Sequence, residues 1–328
     1  MSSLSYAIIG TGAIGGYYGA RLQQAGCEVH FLLRGDYETV RHSGIAIESV
    51  DGDFKLPQVK AYSYPADIPP VDVAVVALKT TQNHQLYALL PPIKEGGVIL
   101  FLQNGLGVEA DFSQQLKEKS RSVPNILGGL CFICSNRIGP GRFRHSAYGR
   151  ILLGAHNPTA QPCTPTPLMA AIAADFAKGS IAIETTDDLP MARWRKLVWN
   201  VPYNGLSVVL DANTEEMMAD SGVRSLITTL MAEAITTANA WGEQTSPGTN
   251  RHLPFSLIDE MIAHTEVIEP YRTSMKIDYD EHRPLEVETI VGNPLRAAQA
   301  MGVSVPAMTM LYQQLSFLNN RLKTTAAG

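Results

Sequence analysis

Lys196, Asn200 and Asn204 recur every four residues in the segment Trp194-Arg195-Lys196-Leu197-Val198-Trp199-Asn200-Val201-Pro202-Tyr203-Asn204. On a helix this spacing makes one polar stripe. Apolar Leu197, Val198 and Trp199 surround it, so the lysine is expected to lose part of its hydration. That would lower its pKa towards neutrality and make it a usable general acid. On spacing alone the stripe reads as a solvated helix face ahead of a site. Pro202 withholds the amide that would bond Val198 and is expected to kink the helix beside the stripe.

A second chemistry is written at the amino terminus. Gly10-Thr11-Gly12-Ala13-Ile14-Gly15 is a G-x-G-x-x-G that follows an apolar strand and opens a helix continuing through Tyr17 and Leu22. The first glycine allows the tight turn, the second lets a pyrophosphate approach the backbone, and the third lets helix pack on strand. Helix N-terminal amides then face the anion. These six residues are expected to bind a dinucleotide; the other reading is a Gly-rich turn without a ligand. Where NAD enzymes carry an acid after the second strand, this chain has Arg34. A guanidinium suits a 2′-phosphate, so NADP(H) is the expected cofactor. Lys79 and Asn104 follow the third and fourth strands of the sheet, at carboxyl ends where ligands of such sheets bind. Lys79 is expected to face the cofactor, and Asn104 to lie near nicotinamide and substrate. The plainer reading makes Arg34 and Lys79 solvated surface residues.

Composition narrows the partners. A chain of 328 residues exceeds the usual size of one core, so two domains are expected. With 45% hydrophobic and 17% charged residues it is an ordinary globular sequence. Lys and Arg number 26 against 31 Asp and Glu, and no basic tract suits nucleic acid. The strongest apolar run, Val71 to Leu78, is strand-sized and interrupted by Asp72, so no membrane span is expected. No signal peptide precedes the first strand, and four cysteines fit a reducing compartment, so the expected location is cytoplasmic. Cys131 and Cys134 form a C-x-x-C inside an apolar strand, where residues three apart face opposite ways. They read as two buried cysteines, and no metal is expected.

The elements that must position these residues fall into two halves. Strands at 6–9, 29–33, 71–78 and 98–102 alternate with helical stretches, the pattern of a parallel sheet. Strands near 126–134, 141–145 and 151–154, joined by Gly and Pro turns, are expected to extend it antiparallel. The Pro-rich segment 157–167 reads as a surface loop, and 180–184 as a last strand. After Asp188 the patterning becomes helical, with long segments at 191–210, 223–241 and 288–301. The expectation is therefore an α/β Rossmann-type dinucleotide-binding domain over 1–187, followed by an all-helical domain over 188–328.

In order and spacing the motifs resemble the ketopantoate reductase family, the 2-dehydropantoate 2-reductases, over nearly the whole chain. The resemblance rests on Gly10 to Gly15, Arg34, Lys79, Gln103-Asn104-Gly105, Lys196 with Asn200 and Asn204, Ser274-Met275 with Asp278, and Arg283-Pro284-Leu285-Glu286. It implies an active site in the cleft between a Rossmann-type and a helical domain. The implied activity is NADPH-dependent reduction of ketopantoate to pantoate, a step of pantothenate biosynthesis. By resemblance Lys196 is the proton donor, and Asn104, Asn200, Asn204 and Ser274 hold the substrate carboxylate and hydroxyl. Glu286 stands beside the nicotinamide ribose and the substrate.

Glu288 competes with Glu286, but two residues apart on a helix the pair face nearly opposite ways, and family spacing from Ser274 selects Glu286. Glu286 also fits a helix N-terminal carboxylate. This chain departs from the family in placing Pro202 between the two asparagines. Reduction of a related 2-oxo acid, a 3-hydroxyacid or opine dehydrogenase and a non-catalytic NADP sensor are the alternatives. The second asparagine and Glu286 argue against the 3-hydroxyacid and opine readings, and an intact Lys196 against the sensor. A homodimer is the default assembly.

Overall fold

In the computed structural model of the 328-residue chain, residues 4–119, 124–267, 270 and 272–325 are described. They group into two units: Met1–Gln103 with Val108–Leu189, and Asn104–Gly107 with Pro190–Gly328.

The first unit is built on one ten-stranded sheet. Its chain order is β1 (Ser5–Ile9), α1 (Ala13–Gln24), β2 (Glu28–Leu32), α2 (Tyr37–Ser43), β3 (Ile45–Ser49), β4 (Phe54–Leu56), β5 (Lys60–Tyr62), β6 (Val71–Val76), α3 (Leu86–Leu89), β7 (Ile93–Phe101), α4 (Val108–Glu118), β8 (Asn125–Gly139), β9 (Arg142–Ala155), α5 (Pro167–Lys178) and β10 (Ile183–Thr186). The strands lie in the order β4-β3-β9-β8-β7-β6-β1-β2-β5, and β10 joins β9. From β5 through β8 every neighbouring pair is parallel.

These parallel strands are apolar throughout because both faces are covered. Ile8, Phe31, Val75 and Leu100 pack into the core on one face, and Ile9, Val76, Ile99 and Phe101 into that on the other. Burying each such side chain stabilises the fold by about 1.5–3 kcal/mol. The strand order reverses at β1 and β6, the place where open α/β sheets bind ligands beyond their carboxyl ends.

β8 and β9 are antiparallel, joined through Gly141 at φ 63°. The stretches at 141–145 and 151–154 belong to one strand, β9. The positive φ of Tyr148 and Gly149 makes a bulge rather than a break, because Arg150 and Tyr148 still pair with Phe132 and Ile133 of β8 on either side of it. The last strand runs Ile183–Thr186, later than its apolar start suggests, because Ser180 turns left-handed (φ 60°) after α5. Strands β3, β4 and β5 escaped the sequence pattern. Two of them are only three residues long and no element of the three is fully buried.

The second unit is helical: α6 (Leu189–Val209, its first residue in the sheet unit), α7 (Thr214–Ala219), α8 (Ser221–Thr245), α9 (Leu257–Glu266), α10 (Ser274–Asp280), a π-helical turn at Glu288–Gly292, α11 (Asn293–Ala300) and α12 (Pro306–Thr325). Trp194, Val198, Ile235, Ile290 and Leu311 fill its core. Helix starts are satisfied by side chains: Asp220 accepts from the Val223 amide at 2.8 Å, and Glu233 accepts from the Ala307 and Met308 amides at 3.0 and 2.8 Å. Helix α6 continues through Pro202, beside which the Trp199 and Tyr203 rings stack at 4.6 Å. Among the described residues no helix is long and apolar enough to cross a membrane.

Candidate active site

In the first unit, the loop from β1 to α1 shows why each glycine of the motif is there. Gly10 has φ 94°, and a Cβ on it would stand 2.6 Å from the Leu78 amide nitrogen, so only glycine lets this turn lie against the chain leaving β6. At Gly15 a Cβ would meet the Gly10 carbonyl at 2.3 Å. Gly12 differs: a Cβ there would meet nothing within 4 Å. Packing within the chain therefore does not require glycine there, and open backbone at a helix start has the shape that a dinucleotide pyrophosphate needs. Helix α1 has no side-chain cap and no acid in its first turn. Thr11 anchors the loop by donating to the Leu32 carbonyl at 3.0 Å, and the Ser135 hydroxyl donates to the Ala13 carbonyl at 3.1 Å.

Beyond β2, Arg34 is exposed and follows two residues after the strand. The nearest acid, Asp36, is already engaged by Arg137 Nε at 3.0 Å and the Gly141 amide at 3.3 Å. The end of β2 thus offers a guanidinium rather than a carboxylate, which suits a phosphorylated ribose. Lys79 follows β6 and is half-buried. Gln103, to which the sequence reading gave no separate role, is buried and ties β6 to β7: its Nε2 donates to the Leu78 carbonyl at 2.8 Å and to Asn83 Oδ1 at 2.7 Å.

In the second unit, α6 carries the polar stripe. Lys196 is half-buried, and Asn200 and Asn204 are buried. Lys196 Nζ donates to Asn104 Oδ1 at 2.8 Å. Asn204 Oδ1 accepts from the Ser274 hydroxyl at 3.3 Å and the Met275 amide at 3.2 Å, which joins α6 to the start of α10. Thr273 caps α10 by accepting from the Lys276 amide at 3.2 Å. Glu286 is buried, whereas Glu288 is exposed and pairs with Arg296 at 2.9 Å and Tyr312 at 2.8 Å. Asp278, buried, is held by Arg283 at 2.9 Å.

Asn104 lies immediately after the sheet unit's Gln103, yet it groups with the helices. The helical unit holds the segment by its backbone. Arg193 Nη1 donates to the Gly105 carbonyl at 3.0 Å, the Leu106 amide donates to the Thr289 carbonyl at 2.8 Å, and Asn293 Nδ2 donates to the Leu106 carbonyl at 2.7 Å. Sequence patterning missed Arg193, Thr289 and Asn293. Arg193 alone left a trace, since it stands three positions before Lys196 on the same helix face.

The cysteine pair differs in part from expectation. Cys134 is buried but Cys131 is partly exposed, because β8 is irregular in register between them. Neither is in a disulfide. Among the described residues no group of three or more His, Cys, Asp or Glu side chains could hold a metal.

Comparison with known proteins places this arrangement. The family described as Ketopantoate reductase PanE/ApbA matches residues 6–158, and its C-terminal counterpart, Ketopantoate reductase PanE/ApbA C terminal, matches residues 188–319. The 2-dehydropantoate 2-reductase of Nostoc sp. is 53% identical over 325 residues, which span 99% of this chain and 98% of that protein. The crystal structure of 2-dehydropantoate 2-reductase from Geobacter metallireducens superposes with a TM-score of 0.87 at 39% identity, over 95% of this chain and 99% of that one. That from Methylococcus capsulatus gives 0.84 at 29% identity, over 97% and 98%.

Proposed function

The chain belongs to the ketopantoate reductase family, and on that premise we propose that it reduces ketopantoate (2-dehydropantoate) to pantoate with NADPH. The observation that carries the reading is the hydrogen bond from Lys196 Nζ to Asn104 Oδ1, which fixes where the ammonium stands. The amide oxygen orients the ammonium without adding a charge of its own. Lys196 is the proton donor to the oxygen that becomes the pantoate hydroxyl.

The nicotinamide supplies the hydride when bound, and the chain orients and polarises the substrate. Gly10, Thr11, Gly12, Ala13, Ile14 and Gly15 take the pyrophosphate, Arg34 takes the 2′-phosphate, and Lys79 and Asn104 complete cofactor recognition. Asn104, Asn200, Asn204 and Ser274 hold the substrate carboxylate and hydroxyl. With Asn204 Oδ1 already accepting from Ser274 and Met275, its amide nitrogen is the group that donates to a substrate oxygen. Glu286, buried as a substrate-orienting carboxylate would be, serves the substrate and the nicotinamide ribose.

In this reading residues 1–187 bind the cofactor and 188–328 supply the catalytic side chains. A cytoplasmic homodimer completes it, supported by four cysteines that stand outside disulfides and by the prevalence of twofold assemblies. The test is loss of NADPH absorbance with purified protein and ketopantoate, 2-oxoisovalerate, pyruvate or acetopyruvate, repeated with NADH. Oxidation fastest with ketopantoate and NADPH is expected. Turnover of another 2-oxo acid alone would keep the chemistry and reassign the substrate.

A further inference from the structure

We propose that Arg193 is a positioning residue, holding the Asn104–Gly107 segment so that Asn104 meets the Lys196 ammonium. The inference rests on the reading of Lys196 as proton donor. Arg193 is 4% exposed, and a guanidinium so buried is costly unless its donors are used. One of them reaches the Gly105 carbonyl, the peptide group that follows Asn104 directly. The segment is then closed from the other side by the Leu106 amide on Thr289 and by Asn293 on the Leu106 carbonyl.

Gly105 itself sits at φ 98°, and a Cβ on it would stand 2.5 Å from the Thr289 Cβ, so the segment is pressed against the π-helical turn. Backbone contacts therefore fix where the Asn104 side chain starts, and Asn104 in turn fixes one donor of Lys196. Loss of Arg193 would release the Gly105 carbonyl and let Asn104 drift. Displacement of a catalytic group by an ångström is enough to cost about a hundredfold in rate.

The experiment uses the full chain with Arg193→Ala, Arg193→Lys, Asn104→Ala and the Arg193→Ala/Asn104→Ala double variant. Ketopantoate kcat and KM are measured together with NADPH affinity. Arg193→Ala is expected to lower kcat about tenfold or more, with a loss of NADPH affinity no larger than that of Asn104→Ala, and Arg193→Lys to recover part of the loss. In the Asn104→Ala background the same substitution is expected to cost less than about twofold, since its effect runs through Asn104.

Hydrogen exchange at the Leu106 amide gives a readout independent of turnover. Arg193→Ala should speed it with α6 still protected. Losses that multiply independently in the double variant, or unchanged Leu106 protection, would overturn the proposal. If Arg193→Ala does not fold, Asn293→Ala releases the same segment from its other side and carries both measurements. Silence of the unchanged protein on ketopantoate would defeat the functional reading alone, because the exchange result stands without it.

Discussion

Lys196 Nζ lies 2.8 Å from Asn104 Oδ1, a residue 92 positions earlier in the chain. The amide oxygen orients the ammonium, and general acid catalysis needs a proton donor so placed. Lys196→Met should therefore bind NADPH as the unchanged protein does but turn over ketopantoate about a hundredfold slower or worse. Stopped-flow and fluorescence titration separate the two quantities, and near-normal turnover would remove Lys196 from the proton-donor role.

Arg34 stands exposed where an acid would serve NAD. A charge-assisted contact to the 2′-phosphate is worth roughly 1.5–3 kcal/mol, so Arg34→Ala should weaken NADPH about ten- to hundredfold and NADH little. Equal losses for the two nucleotides would show that the guanidinium does not read the phosphate.

The glycines of the β1–α1 loop separate folding from binding. Gly12→Val should leave the thermal midpoint nearly unchanged and abolish NADPH binding, because the space its side chain enters is free of protein atoms within 4 Å. Gly15→Ala should lower the midpoint, because its Cβ would collide with the Gly10 carbonyl at 2.3 Å. Calorimetry on both variants, with and without NADPH, checks the pair.

Asp72 ties the amino-terminal ends of β1, β6 and β7, accepting from the Ser5 amide at 2.8 Å, the Ser5 hydroxyl at 2.7 Å and Lys94 at 2.9 Å. Burial pushes its carboxyl pKa up, but the hydrogen bonds from Lys94 and Ser5 outweigh burial and hold it below the ordinary value. A folded-state pKa lowered in this way contributes stability above the unfolded value, near 3.9, and loses it as pH falls through the folded one. Asp72→Asn should cost about 1 kcal/mol at pH 7, since Lys94 is half in solvent, with the difference shrinking below about pH 4. Urea unfolding at several pH values measures it; a difference that stays constant into acid would exclude ionisation as its source.

Much of this was legible in the sequence because the signals were local. The Gly10 to Gly15 run follows a strand, the parallel strands are continuously apolar, and the α6 stripe repeats at helical spacing. What the sequence hid was set by contacts at a distance or by backbone geometry. Arg193 and Asn293 act on carbonyls, which leave no mark on residue types. Strands β4 and β5 exist because neighbours complete them, not because three residues specify an extended chain. The continuity of β9 depends on positive φ at Tyr148, an irregularity that no alternation of side chains announces.

Because Asn104–Gly107 groups with the helices, the protein is not a pair of interchangeable cassettes with one seam. A chimera that took residues 1–187 from a relative would bring a foreign 104–107 insert to helices that leave no room for a side chain at 105, where a Cβ would stand 2.5 Å from the Thr289 Cβ. Recombination blocks that respect the molecule are discontinuous: 1–103 joined with 108–189, exchanged around a four-residue island that stays with its own helices.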